Sequence, residues 1–151
     1  MTRLSTAEIG CWLIKSRTPP SQLAVGWLPG QRRTLSRCLR PSYRLELMRP
    51  GQPCLLWLSG QQSPGIHALG TIASNPQTRG PDPTGPEVEV RVDLRLLASP
   101  VPRSALLADP SFAAAEVLRI PAGSNPSYLR PDELEALEEL GDPNEWDAGD
   151  W

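Results

Sequence analysis

Arginine side chains are concentrated in one short stretch of the sequence. Five of them fall within thirteen positions, namely Arg32, Arg33, Arg37, Arg40 and Arg44. A guanidinium group presents a planar fork of donors that can hold a phosphate group through two hydrogen bonds. We therefore expect this segment to contact a phosphate backbone, while a solvated surface position is the alternative for each arginine taken singly.

The charge of the whole chain is distributed unevenly. Residues 1–80 carry ten Lys and Arg against two acids, whereas residues 81–151 carry five arginines against fifteen acids, and the net charge is −2. A basic half attracts nucleic-acid phosphates by releasing their counterions, and a separate acidic part limits unspecific binding. An arginine-rich composition with solvated charges explains the same numbers, so charge alone leaves both interpretations open.

The sequence lacks the residue sets on which common catalytic sites are built. His67 is the only histidine, and Cys11, Cys38 and Cys54 are widely spaced, so neither a zinc pattern nor a disulfide framework is predicted. A carboxylate cluster for a metal, a nucleophile with its base and a phosphate-binding loop are also missing. We expect reduced, mostly buried thiols, no cofactor, no metal and no enzymatic activity.

The distribution of apolar residues bears on the cellular compartment. No apolar run approaches the roughly 20 residues that span a bilayer, and the first ten residues lack the apolar region of a signal peptide. We expect a cytoplasmic protein with no membrane partner.

Four segments have the composition of β-strands, at residues 11–16, 53–60, 65–73 and 88–97. The second is apolar enough to be buried on both faces, and the fourth alternates strictly between apolar and charged residues. In the third, the alternation predicts that Ile66, Ala68 and Ile72 share one face. Residues 21–40 and 75–87 are expected to be irregular, and the latter to be mobile.

Short helices are predicted at residues 42–48, 102–108, 110–116 and 131–140, with Asp109 as the N-cap of the third and Gly141 as the C-cap of the last. Strands in the middle and short helices around them predict an α+β fold, a small mixed β-barrel of about five strands flanked by short helices. The domain is expected to span residues 1–140. Residues 141–151 form an acidic tail that we expect to be disordered unless Trp146 or Trp151 docks.

Four segments, in order and in spacing, resemble the EVE domain, a PUA-like fold related to the YTH readers of methylated adenine in RNA. They are CWLIKSR, RPSYRLELMRPGQPCLLWLSG, PGIHALGTI and AGSNPSYLRPDELEAL, and together they extend over residues 11–140. The chain also departs from the family. The family's ARN is PSY at residues 41–43, its GD is Gly51-Gln52, and a histidine of its second strand is replaced by Leu58.

The resemblance implies a barrel mouth that holds one flipped, modified base of DNA or RNA beside an aromatic ring. It places seven residues at or near that pocket: Trp12, Lys15, Ser16, Trp57, Ser59, Ser124 and Asn125. The indoles would stack on the base, and hydroxyl and amide groups would pair with its edge. Core packing is the alternative for both indoles, and a turn-forming Asn-Pro step is the alternative for Asn125.

Two other functions stay open. Acidic tails that carry aromatic residues can hold a partner protein, so Trp146 and Trp151 are compatible with a non-catalytic protein-interaction module. A protein effector encoded elsewhere would also fit a base reader. A nucleic-acid-processing enzyme is the third candidate, and the missing catalytic residue sets weigh against it.

Overall fold

The computed structural model describes residues 3–78 and 88–146. These residues form seven strands, β1 (Cys11–Ser16), β2 (Arg32–Leu39), β3 (Pro53–Leu58), β4 (Gly65–Ile72), β5 (Gln77–Thr78), β6 (Val88–Pro102) and β7 (Ser127–Leu129). They also form the helices α1 (Pro20–Leu23), α2 (Arg103–Ala108), α3 (Glu116–Arg119) and α4 (Pro131–Leu140). Short 3₁₀ segments lie at Thr6–Glu8, Tyr43–Leu47 and Pro110–Phe112.

All seven strands belong to one mixed sheet, in the order β2-β6-β4-β3-β1-β7, with β5 paired to β6. Strands β1 and β3 run parallel, and the other pairs are antiparallel. Strand pairing within the described residues does not close the sheet, yet its two ends meet. Arg40 N, just after β2, donates a hydrogen bond of 3.0 Å to Asn125 O, just before β7. The α+β class is thus confirmed, while the predicted barrel is an open sheet of more strands than expected.

Strands β1 and β3 separate two hydrophobic cores. One core gathers residues of β1, β3, β4 and β6, among them Trp12, Leu56 and Val92. The other lies between the opposite face of the sheet and the helices, and it contains Trp57 and Phe112. Because both faces of these central strands are covered, their sequences are continuous apolar runs rather than alternating ones.

Several elements match the sequence prediction, and others do not. Strands β1, β3 and β4 and helix α4 lie within a residue or two of the predicted bounds. The prediction for residues 21–40 was wrong, because they contain most of α1 and the whole of the eight-residue β2. Strand β2 pairs only with β6 and is largely exposed, so its sequence lacks the apolar residues that would predict a strand. Strands β5 and β7 are too short to show a period, and residues 79–87 lie outside the described part of the chain.

A bulge in β4 corrects the predicted faces of that strand. In the pairing with β3, Leu56 lies opposite Ala68 and Trp57 lies opposite Ile66, so His67 is an extra residue of β4. Ile66 therefore packs with Leu69 in the core under the helices, whereas Ala68 and Ile72 belong to the other core. One extra residue in a strand turns the following side chains to the opposite face.

The acidic end of the chain packs against the sheet as far as Trp146. The Trp146 side chain is buried in the core under the helices. The Glu145 carboxylate accepts hydrogen bonds from Ala98 N (2.6 Å) and Ser99 N (2.9 Å), both within the C-terminal half of β6. The sequence analysis expected disorder unless a tryptophan docks, and Trp146 docks, so residues 141–146 are ordered. Residues 147–151 lie outside the described range.

Gly141 ends α4 as predicted, but its φ of −74° is one that any residue adopts. A Cβ atom at this position would lie 2.2 Å from the indole of Trp146. The glycine is therefore required by the packing of Trp146 rather than by the turn of the backbone.

We predict that Trp146→Ala lowers the free energy of unfolding by about 3–5 kcal/mol, because it removes a large buried side chain. Denaturant unfolding followed by circular dichroism measures the change. Leu107→Ala is the matched control, since Leu107 is 55% exposed in α2 and should cost no more than about 0.5 kcal/mol. Equal unfolding midpoints for the two variants would contradict the docking of the indole.

Candidate functional site

An open cavity of about 620 Å³ lies where β1 and β3 end, beside the loop that leads into β7. Its lining comes from three short segments and one arginine: Lys15, Ser16 and Arg17; Ser59 and Gly60; Pro121, Ala122, Gly123 and Asn125; and Arg40. The volume lies within the range of about 300–1,000 Å³ found for small-ligand sites. The described lining residues include three cations and no acid, so the cavity favours an electron-rich or anionic ligand.

Backbone pairing fixes the walls of this cavity. Ser59 N donates to Ser16 O at 2.8 Å and continues the pairing of β3 with β1. On the other side, the Asn125 side chain pairs with the Lys15 backbone, accepting from Lys15 N (3.1 Å) and donating to Lys15 O (3.4 Å). A carboxamide has two acceptor lone pairs and two N–H groups, so Asn125 keeps one of each for a ligand.

The single lysine is held in the cavity wall. Lys15 is only 9% exposed, and its Nζ donates to Pro121 O at 3.2 Å. Burial lowers the pKa of Lys15 from its ordinary value, the charges of Arg40 and Arg44 act in the same direction, and Glu116 opposes them. The ammonium group is thus a fixed donor that ties the loop before β7 to β1.

A partly buried ion pair stabilises the elements around the cavity. Arg44 Nη1 and Nη2 donate to the two carboxylate oxygens of Glu116 at 2.8 and 2.7 Å, and Ser127 Oγ donates to Glu116 Oε1 at 2.8 Å. Burial by itself raises the pKa of Glu116, but the hydrogen bonds from Arg44 and Ser127 and the charges of Arg44 and Lys15 outweigh it. The pKa of Glu116 therefore lies below its usual value of 4.5. Bidentate pairing of this kind connects the 3₁₀ segment at Tyr43–Leu47 with α3.

The structure brings together part of the predicted site. Lys15, Ser16, Ser59, Asn125 and Arg40 all line the cavity. Ser124 is half-buried beside it and is not among the lining residues. Three of the arginines, Arg32, Arg33 and Arg37, lie along β2 and do not line it either.

The Arg44 guanidinium, which the sequence analysis expected to contact a phosphate backbone, is engaged within the fold. Besides Glu116, it donates to Pro126 O at 3.1 Å and lies over the ring of Tyr128, 5.3 Å from the ring centre. The partner acid is 72 positions away in the sequence, so local spacing carried no sign of the pair.

The predicted indole wall is absent from the described cavity. Trp12 is fully buried in one core, and Trp57 is 4% exposed in the other, on the opposite face of the sheet. Trp12 Nε1 also donates to Gln52 Oε1 at 2.8 Å. Both tryptophans belong to central strands that are covered on both sides, so neither ring has a face open to a base. The core-packing alternative holds for both.

Sequence reasoning missed five lining residues, namely Arg17, Gly60, Pro121, Ala122 and Gly123. Arg17 directly follows the Lys15-Ser16 pair, and Ala122 and Gly123 directly precede Ser124 and Asn125. Proximity in the sequence to predicted site residues was therefore the available signal.

The described residues give no sign of a metal site. Within residues 3–78 and 88–146, no group of three or more His, Cys, Asp or Glu side chains is placed to hold a metal ion. The His67 ring Nε2 lies 2.7 Å from Ser63 O. Cys11 and Cys54 are buried, and burial raises the pKa of both thiols, whereas Cys38 is exposed. None of the described helices has the length and apolar character needed to cross a membrane.

The mixed sheet with its short helices has the α+β, PUA-like fold that the resemblance to EVE domains predicted. Solved structures with this fold align along nearly the whole chain. The protein Rpa0253 from Rhodopseudomonas palustris has a TM-score of 0.65 at 19% identity, covering 88% of this chain and 93% of that one. Human THYN1, in complex with DNA containing 5-methylcytosine, has a TM-score of 0.60 at 18% identity, covering 86% and 96%.

The DUF55 domain of human thymocyte nuclear protein 1 also aligns, with a TM-score of 0.55 at 21% identity, covering 85% of this chain and 96% of that one. Identities this low establish a shared fold. No protein-family model matches the sequence, and no curated protein matches it.

We predict that Glu116→Gln lowers the free energy of unfolding by about 2–3 kcal/mol at neutral pH, because the Arg44 charge loses its partner. The folded-state pKa of Glu116 is below its unfolded value, so its contribution is present above about pH 4.5 and is lost as the pH falls through the folded pKa.

Urea unfolding between pH 7 and pH 3 measures this dependence. Glu135→Gln, at an exposed position of α4, is the control and should follow the wild type. The curve of Glu116→Gln should converge on that of the wild type in acid. A constant gap between the two curves down to pH 3 would show that the ion pair does not stabilise the fold.

Proposed function

We propose that this protein binds nucleic acid and that the cavity holds a single base, flipped out of its strand and carrying a modification. The observation that carries this proposal is the composition of the cavity wall. Three cations and several small polar groups surround an opening large enough for one heterocycle. A base in a strand offers polar atoms along its edges and a phosphate group on each side. The small polar groups and the cations of this wall can bind both.

The cations at the rim of the cavity would bind the phosphate groups of the nucleic acid. Arg17 and Arg40 are exposed and line the opening, and Lys15 lies in the cavity wall. Phosphate contacts of this kind position a nucleic acid without reading its sequence. They also make the affinity fall with salt concentration.

The edge of the base would be read by groups that the fold leaves available. Ser16 is less suited, because its Oγ already donates to Thr18 O (2.8 Å) and accepts from Thr18 N (3.0 Å). The remaining donor and acceptor of Asn125 and the hydroxyl of Ser59 are better candidates. Without a ring in the wall, aromatic stacking would not contribute inside the cavity.

The shared fold supports modified DNA as the ligand, since human THYN1 is in complex with DNA that contains 5-methylcytosine. One buried methyl group contributes about 0.8 kcal/mol, which corresponds to about fourfold discrimination over the unmodified base. The proposed reader is therefore moderately selective. RNA remains an alternative polymer that the same cavity chemistry would accept.

The protein-interaction alternative loses part of its basis. It relied on aromatic side chains of the acidic tail, and Trp146 is buried in the core rather than presented to a partner. A protein effector and the lack of enzymatic activity stay predictions.

We predict that Ser59→Phe abolishes the preference for a modified base, because the ring fills the cavity, while the exposed arginines still bind nucleic acid weakly. Fluorescence anisotropy with short DNA and RNA oligonucleotides, each with and without 5-methylcytosine, measures the preference. Ser104→Phe, at an exposed position of α2, is the matched control and should behave as the wild type. A preference that survives Ser59→Phe would place the base elsewhere.

We further predict that Arg40→Gln reduces the slope of log affinity against log salt concentration by about 0.9, the value for one lost phosphate contact on duplex DNA. Arg130→Gln is the control, because Arg130 is exposed at the start of α4 and pairs with Asp132. Identical slopes for wild type and Arg40→Gln would remove Arg40 from the interface.

A further inference from the structure

Three consecutive apolar residues form an exposed tip at the rim of the cavity. We call Ile120, Pro121 and Ala122 the apolar tip. All three are exposed, and Pro121 and Ala122 also line the cavity. The Ile120 side chain is 57% exposed, although it is large and β-branched. Packing in a hydrophobic core therefore does not explain why this position carries an isoleucine.

The apolar tip is held in place at each end and in the middle. Ile120 N donates to Glu116 O at 2.8 Å at the end of α3, and Gly123 N donates to Ile120 O at 3.0 Å across the turn. Lys15 Nζ holds Pro121 O at 3.2 Å. Gly123 leaves room for the Ile120 side chain, since a Cβ there would lie 2.9 Å from Ile120 Cγ2. Because these hydrogen bonds already fix the backbone of the apolar tip, little conformational entropy would be lost when it binds a ligand.

Single exposed apolar side chains are common on protein surfaces, so the surroundings decide what this one does. Cations flank the apolar tip. Arg119 precedes it and is exposed, while Arg17 and Arg40 lie at the same cavity rim. Phosphate contacts on both sides would press the apolar tip against the bases. Proteins that open or kink a duplex commonly insert Ile, Leu or Pro between base steps in this way.

We propose that Ile120 is a wedge that enters the base stack of a duplex at the position vacated by the base in the cavity. This inference rests on the proposed function. Extracting a base leaves the neighbouring bases without a stacking partner, and the cavity wall offers no ring to compensate. An apolar side chain in the gap restores contact for those neighbours. Because Lys15 lines the cavity and holds Pro121, the wedge and the base site are linked by one side chain.

The test compares Ile120→Ala with Leu107→Ala, an exposed leucine of α2 that does not line the cavity. Each variant and the wild type are titrated with a duplex that has one central 5-methylcytosine, and with the same modified strand alone. We expect Ile120→Ala to bind the duplex about tenfold more weakly and the single strand within about twofold of the wild type. Leu107→Ala should bind both as the wild type does.

A second readout reports the opening of the stack itself. With 2-aminopurine next to the modified cytosine, the fluorescence of the duplex should rise on binding wild type or Leu107→Ala, and should rise less with Ile120→Ala. Thermal unfolding of the three proteins confirms that the fold is retained.

The outcomes separate the two proposals. Unchanged duplex affinity for Ile120→Ala, together with the loss of base preference in Ser59→Phe, would overturn the wedge and leave the base site standing. An equal loss on duplex and single strand would also overturn the wedge, since Ile120 would then contact the base or backbone directly. If wild type and Ser59→Phe show the same affinity for every oligonucleotide, the proposed function fails and the wedge fails with it.

Discussion

Asn125 joins the two ends of the sheet, because its side-chain amide pairs with the Lys15 backbone in β1 while its carbonyl accepts a hydrogen bond from Arg40 N beyond β2. The unpaired backbone of an edge strand is open to other partners, and this arrangement occupies both edges at the point where they meet. It also places residues from four strand ends around one opening. The cationic rim, the small polar groups and the apolar tip all depend on that junction for their relative positions.

Electrostatics at the site follow from one partly buried acid, Glu116. Glu116 binds Arg44 through two hydrogen bonds and lies near enough to Lys15 to favour its charged form. Arg40 and Arg44 act in the opposite direction on Lys15, so the acid offsets repulsion among cations that the fold holds close together. The division of roles is clear among the arginines. Arg44 is paired with Glu116 inside the fold, whereas Arg17 and Arg40 are exposed at the rim of the cavity.

The proposed base site has no aromatic wall, so its energetics would differ from those of a site that stacks its ligand. Unstacking costs a few kcal/mol, and a ring in the pocket would normally offset part of it. Here Trp12 and Trp57 stabilise the two cores instead. Hydrogen bonds, phosphate contacts and apolar contact outside the cavity must then balance the cost. Binding should accordingly respond strongly to salt and to the ease with which the target base leaves its stack.

The sequence by itself determined the central strands β1 and β3, the alternating part of β6, the limits of α4, and, through the resemblance, the meeting of Lys15, Ser16, Ser59 and Asn125 at one cavity. Only the tertiary structure decided that Trp12 and Trp57 point into opposite cores, that a bulge turns Ile66 away from Ala68, that Arg44 is occupied by Glu116, and that Trp146 docks. The periodicity of apolar residues along the sequence shows which side chains of one element share a buried face. It does not show what covers a strand that is apolar on both faces, or which partner far along the chain reaches a given charge, because those depend on contacts between distant segments.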